Sequence, residues 1–144
     1  MQEVFINEIK ELIPHRHPTL FIEYVQVFPE KKTAISRCNP KVKEVIKGYK
    51  REQISIFYFI EGIFQTAGVL FNILYGFEEK LKKKKFLSRL DEVRVLGELC
   101  NQKELIFKVE VRNSNRFNDK FYGEILSNNK IVLSCNVTSS IQIN

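Results

Sequence analysis

In the stretch IEGIFQTAG, residues 60–68, Glu61 is the only ionisable acid or base between Gln53 and Phe77 apart from the tyrosines. Helical steps of three and four residues from Tyr58 reach Glu61, Gln65, Gly68 and Asn72, so these positions share one face. The rest of the surface is Ile, Phe, Val and Leu. This polar face is therefore expected to look into a cavity, a cleft or a subunit boundary rather than into a sheet. Gly62, Ala67 and Gly68 would permit close approach of other backbone. A carboxylate in apolar surroundings must be hydrogen-bonded, reach solvent or take up a proton. Two readings stay open for Glu61. Either Gln65, a backbone amide or an arginine merely satisfies it, or it is a general acid or base lining an apolar tunnel.

The element that carries it is long. Gln53 to Tyr75 is apolar nearly all round, ends at Gly76, and would extend roughly 34 Å as a continuous helix. Such a helix must be buried on most sides. Its length would also suffice to span a bilayer, but Glu61, Gln65 and Asn72 oppose that reading, a central acid alone costing about 3 kcal/mol. A core helix wrapped by a sheet is expected instead.

The flanking pattern supplies that sheet. A short helix is expected at Ile6–Ile13, stopped by Pro14. Strands are expected at Leu20–Phe28 and Thr33–Cys38 around a turn at Pro29–Lys32, and again at Phe86–Val95, Lys120–Leu126 and Lys130–Thr138. The last two would meet across Asn128-Asn129, residues that tolerate the positive φ of a tight hairpin. Glu104–Val111 alternates strictly, with Leu105, Phe107, Val109 and Val111 on one face. Residues 40–52 mix charge with Pro and Gly and read as an irregular connection.

At 144 residues with 44% hydrophobic content the chain fits one domain with a real core, residues 1–144. The N-terminus shows no secretory pattern, so a cytoplasmic protein is expected. Three widely spaced cysteines, Cys38, Cys100 and Cys135, suit neither a disulfide framework nor a metal site, and no cofactor is implied. A net charge of +6 favours an acidic partner. Basic residues are not interleaved with surface aromatics, which argues against nucleic acid. His15 and His17, in IPHRHP, are the only histidines. They lack further nameable metal ligands, and they read as part of a structural loop.

Taken together, IKELIPHRHPTLFIEYV (Ile9–Val25), FIEGIFQTAGVL (Phe59–Leu70) and FLSRLDEVRV (Phe86–Val95) resemble, in order and spacing, the hot-dog-fold 3-hydroxyacyl-acyl-carrier-protein dehydratases. The resemblance covers most of the chain. It implies an α+β hot-dog fold, a long helix wrapped by a curved antiparallel sheet, with protomers paired so that acyl tunnels form at their interface. In that family a His from one subunit and the helix carboxylate from the other carry out dehydration. Glu61 matches that carboxylate and Gln65 its neighbour. By the same resemblance the PHR-P segment forms the wall of the site, where His17 would face the pocket.

The family's Gly-His-Phe-Pro word before the helix is absent. Here the sequence reads KGYKREQISIFYFIE (Lys47–Glu61), with Gly48-Tyr49 or Lys47 in its place. The Pro-Gly-Asp word after the Asp-x-x-Arg strand is also missing, near Cys100. Removing water from a 3-hydroxyacyl thioester takes a proton from C2 and gives one to the hydroxyl on C3, and losing one such group costs about 10²- to 10⁴-fold. Tyr49, Tyr58 and Lys47 are the substitutes weighed for the missing donor. Three functions follow from the resemblance: a dehydratase-like enzyme with weakened, altered or lost activity, a non-catalytic thioester-binding or heterodimer-completing subunit, or a hot-dog thioesterase using Glu61 to activate water. An acidic acyl carrier protein would meet Arg16, Lys50, Arg51 and the run Lys82, Lys83, Lys84 and Lys85. A homodimer or larger assembly is expected.

Overall fold

The computed structural model describes residues 1–16, 19–38, 56–76, 85–97, 104–115 and 117–141. Seven strands form one antiparallel sheet in the order β1-β2-β3-β5-β6-β7-β4. They are β1 (Gln2–Phe5), β2 (Ile22–Phe28), β3 (Thr33–Cys38), β4 (Lys85–Val95), β5 (Ile106–Ser114), β6 (Asn118–Ser127) and β7 (Lys130–Ile141). A short helix, α1 (Ile6–Leu12), follows β1, and the long helix α2 (Ile56–Tyr75) falls between β3 and β4. The sequence thus passes from the middle of the sheet through α2 to its far edge.

Helix α2 packs on β2, β3, β5 and β6. Phe59, Ile63, Ala67, Leu70 and Phe71 join Val25, Val27, Ala34, Phe107, Val109, Phe121, Ile125 and Leu133 in one buried cluster. The expectation of a core helix wrapped by a sheet is met. Two glycines set how closely the layers meet. A Cβ on Gly62 would lie 2.4 Å from Cζ of Phe107, and one on Gly123 would lie 2.3 Å from Cγ2 of Ile63. Gly62 therefore admits an aromatic ring from the sheet rather than the backbone expected there.

The alternation read over β5 holds, since Leu105, Phe107, Val109 and Val111 are all buried. Asn128 and Asn129 adopt φ of 49° and 60° and close the β6–β7 hairpin as expected. Strand β6 begins two residues earlier than its pattern indicates, and buried Asp119 accepts a hydrogen bond there from the Ser114 hydroxyl. Strand β1 was not foreseen. It pairs with β2 and buries only Val4, leaving too short an apolar signal to read. Helix α1 starts as its pattern indicates, with the Phe5 N–H donating to Glu8 Oε2 at 2.9 Å. The connection expected over residues 40–52 lies outside the described residues.

Edge strand β4 exposes Phe86, Leu87, Val93 and Val95, and Leu96 follows them. Its outer side has no partner strand among the described residues.

Candidate active site

The polar face of α2 meets the segment joining α1 to β2, and most of it is closed. Near one end Asn72 Nδ2 donates to the Leu12 carbonyl at 2.6 Å, satisfying a carbonyl that the end of α1 leaves without a helical partner. Gly68 lies under Ile13, whose Cγ2 would sit 3.1 Å from an added Cβ. Gln65, only 1% exposed, uses both ends of its amide. Its Oε1 accepts from the Phe21 N–H at 2.8 Å, while Nε2 donates to the Thr19 carbonyl at 2.7 Å and to Glu61 Oε1 at 2.9 Å. The expected cavity or subunit boundary is thus replaced along most of this face by the chain's own Leu12, Ile13, Thr19 and Phe21. Buried amides demand such partners, and this segment supplies them.

Glu61 is the open end of the line. Its side chain is 34% exposed, and no arginine pairs with it among the described residues. Oε1 holds Gln65 Nε2 at 2.9 Å and His15 Nε2 at 3.1 Å, whereas Oε2 has no partner among the described residues. Gln65 therefore satisfies Glu61 in part, on one of its two carboxylate oxygens.

His15 corrects the sequence reading. The sequence reads it as part of a structural loop, with the PHR-P segment forming the wall of the site and His17, not His15, facing the pocket. The fold instead carries His15 directly onto the carboxylate. Its side chain is 27% exposed, and Nδ1 is buried with no hydrogen-bond partner among the described residues. The missed signal was the helix end. Asn72 fixes the C-terminus of α1, Pro14 stops the helix, and His15 emerges over the Glu61 end of α2.

Arg16, expected to steer a carrier protein, also holds this loop. Its Nη1 donates to the Ile13 and His15 carbonyls at 2.9 and 2.8 Å, and Thr19 Oγ1 donates to the Arg16 carbonyl at 2.9 Å. Tyr58, one turn before Glu61, is 37% exposed and packs its ring 5.9 Å from that of Phe21. Its hydroxyl has no hydrogen-bond partner among the described residues. His17, Tyr49, Lys50, Arg51, Lys82, Lys83 and Lys84 lie outside the described residues, as do Lys47 and Cys100. Lys85 opens β4.

No protein-family model matches the chain. A curated relative, the 3-hydroxyacyl-acyl-carrier-protein dehydratase FabZ of Xanthomonas campestris pv. campestris (strain B100), is 29% identical over 136 residues, covering 92% of this chain and 88% of its own. Among solved structures, the dehydratase heterocomplex ApeI:P from Xenorhabdus doucetiae superposes with a TM-score of 0.73 at 14% identity, covering 94% of this chain and 91% of that one. The dehydratase domain of a mycocerosic acid synthase-like polyketide synthase superposes with a TM-score of 0.72 at 14% identity, covering 99% of this chain and 50% of that one. The sheet wrapped around α2 is a hot-dog fold. In sequence and in fold the chain is similar to the FabZ-like hot-dog dehydratases.

Proposed function

We propose that this protein is a hot-dog dehydratase that removes water from 3-hydroxyacyl thioesters presented on an acyl carrier protein, in fatty-acid or related acyl-chain synthesis, with an altered acid/base pair. The observation that carries this reading is Glu61, held on Oε1 by Gln65 at the open end of the helix face with Oε2 unpartnered among the described residues. A fixed carboxylate with one free oxygen can exchange a proton with a bound substrate. The relatives that match along 92% of the chain are named for this chemistry. The chain's +6 charge favours an acidic carrier.

The same reading makes the chain a single cytoplasmic domain that works as at least a dimer. Edge strand β4 supports pairing with a second copy, since it offers exposed apolar side chains along an unpaired edge.

The test is turnover of a 3-hydroxyacyl-carrier-protein thioester by the wild-type protein and by Glu61→Gln. Formation of the 2-enoyl product, reduced about 10²- to 10⁴-fold in the variant, is expected. Tight carrier binding without turnover would replace this reading with a non-catalytic or heterodimer-completing subunit, and release of free acid would replace it with a thioesterase.

A further inference from the structure

We infer that His15 is a catalytic residue working with Glu61 of the same chain, so that one protomer supplies both the acid and the base. This rests on the dehydratase reading above. The family pattern places the histidine before the helix, and this chain has none there. Its two histidines lie in IPHRHP, and His15 of that pair reaches the helix carboxylate.

The geometry distinguishes this contact from a structural one. A histidine used only to hold a loop commonly ties one ring nitrogen to backbone. His15 has no such tie, because Nδ1 is unpartnered among the described residues and Nε2 meets Glu61 Oε1 at 3.1 Å. The loop is instead fastened by its neighbours, through Arg16 to the Ile13 and His15 carbonyls and through Gln65 to Thr19 and Phe21. Both side chains are partly open to solvent, so a substrate can reach them.

The two carboxylate oxygens divide the work. Oε1 accepts from Gln65 and lies 3.1 Å from His15 Nε2, which leaves Oε2, unpartnered among the described residues, for a substrate proton. In the ion-paired form, Glu61 Oε2 takes the C2 proton, and the C2–H electron pair becomes the C2=C3 double bond. The C3–O bond breaks, and the hydroxyl leaves as water with the proton from His15 Nε2. Protonation of the carboxyl weakens the hold of Oε1 on that N–H at the moment it is needed. The pair is then a neutral imidazole beside a carboxylic acid. Both groups are partly open to solvent, which takes the proton from Oε2 and returns one to Nε2. No proton is gained or lost over the cycle, and no other reactant is required.

Two measurements test this. The first uses unmodified protein and needs no turnover. A bromoacetyl thioester of pantetheine is incubated with it and the alkylated peptides are mapped. Label on the His15 ring is expected, whereas label confined to His17 or to cysteine would overturn the proposal. The second compares turnover in His15→Gln, Glu61→Gln and the double variant, with thermal midpoints measured alongside. Each single change should lower kcat about 10²- to 10⁴-fold, and the double should fall little further than the lower single. Co-refolding the two single variants should recover no activity, since neither chain then carries a complete pair. Recovery would show that the groups come from different chains, and unchanged kcat in His15→Gln would show that the histidine is not used. A wild-type protein without turnover would defeat the dehydratase reading, while the mapped label would still decide whether His15 stands at the acyl site.

Discussion

Replacing Gln65 by Leu tests the clamp that presents Glu61. Leucine keeps much of the volume but removes an acceptor and a donor that serve Phe21, Thr19 and Glu61. The Phe21 N–H is left buried without its partner, which costs about 1–3 kcal/mol. The Thr19 carbonyl is nearer the surface and contributes at the lower end of that range. The bond to Glu61 is lost as well and leucine's own burial offsets a comparable part, so the net destabilisation should be about 2–4 kcal/mol. In a domain of this size that lowers Tm by about 5–15 °C. Urea unfolding should show the same loss with an unchanged m-value, and native-state hydrogen exchange should show faster exchange at the Phe21 amide than at core strand amides. Gln65→Glu serves as the companion variant, retaining an acceptor for Phe21 while setting a second carboxylate against Glu61 Oε1 and the Thr19 carbonyl. At neutral pH it should be at least as destabilised as the leucine variant, and it should partly recover on acidification. A Gln65→Leu protein within about 0.5 kcal/mol of wild type would refute the clamp.

Gly62→Ala drives a Cβ into the Phe107 ring and should cost about 1–3 kcal/mol despite alanine's better helix propensity, with partial recovery when Phe107→Leu is added, both read by urea unfolding. Burial pushes the Cys135 thiol from its ordinary 9.0 up to about 11. The unfolded thiol therefore ionises from about pH 9 while the folded one stays neutral, so the stability this thiol contributes is intact below pH 9 and lost by about pH 11. Wild type should lose roughly 2–3 kcal/mol more than Cys135→Ala across that window, and parallel pH curves would contradict this. Val95→Lys, on the exposed edge of β4, should shift the protein towards monomer in sedimentation at micromolar concentration, where wild type is expected to be dimeric.

Much of the fold was legible because its signals are local and periodic. Buried residues of β5 fall on every second position, the Asn128-Asn129 turn carries its own φ preference, and α2 announces itself by a long apolar run interrupted on one side. Glu61 and Gln65 could be placed together because four residues make one helical turn. What the polar face meets could not be read, because it depends on contacts between residues far apart in sequence. Asn72 with Leu12 and Gln65 with Thr19 and Phe21 carry no periodic signature. The same limit hid His15, whose meeting with Glu61 depends on where α1 stops and how the following loop turns.

The bonds from α2 to Leu12, Thr19 and Phe21 also bear on the order of folding. They span separations of 44 to 60 residues, and closing loops of that size is slow unless the receiving surface already exists. The amino-terminal segment is therefore expected to dock after the helix is seated, bringing His15 to Glu61 in that step. On that order the chain's topology forms before the contact between His15 and Glu61 does.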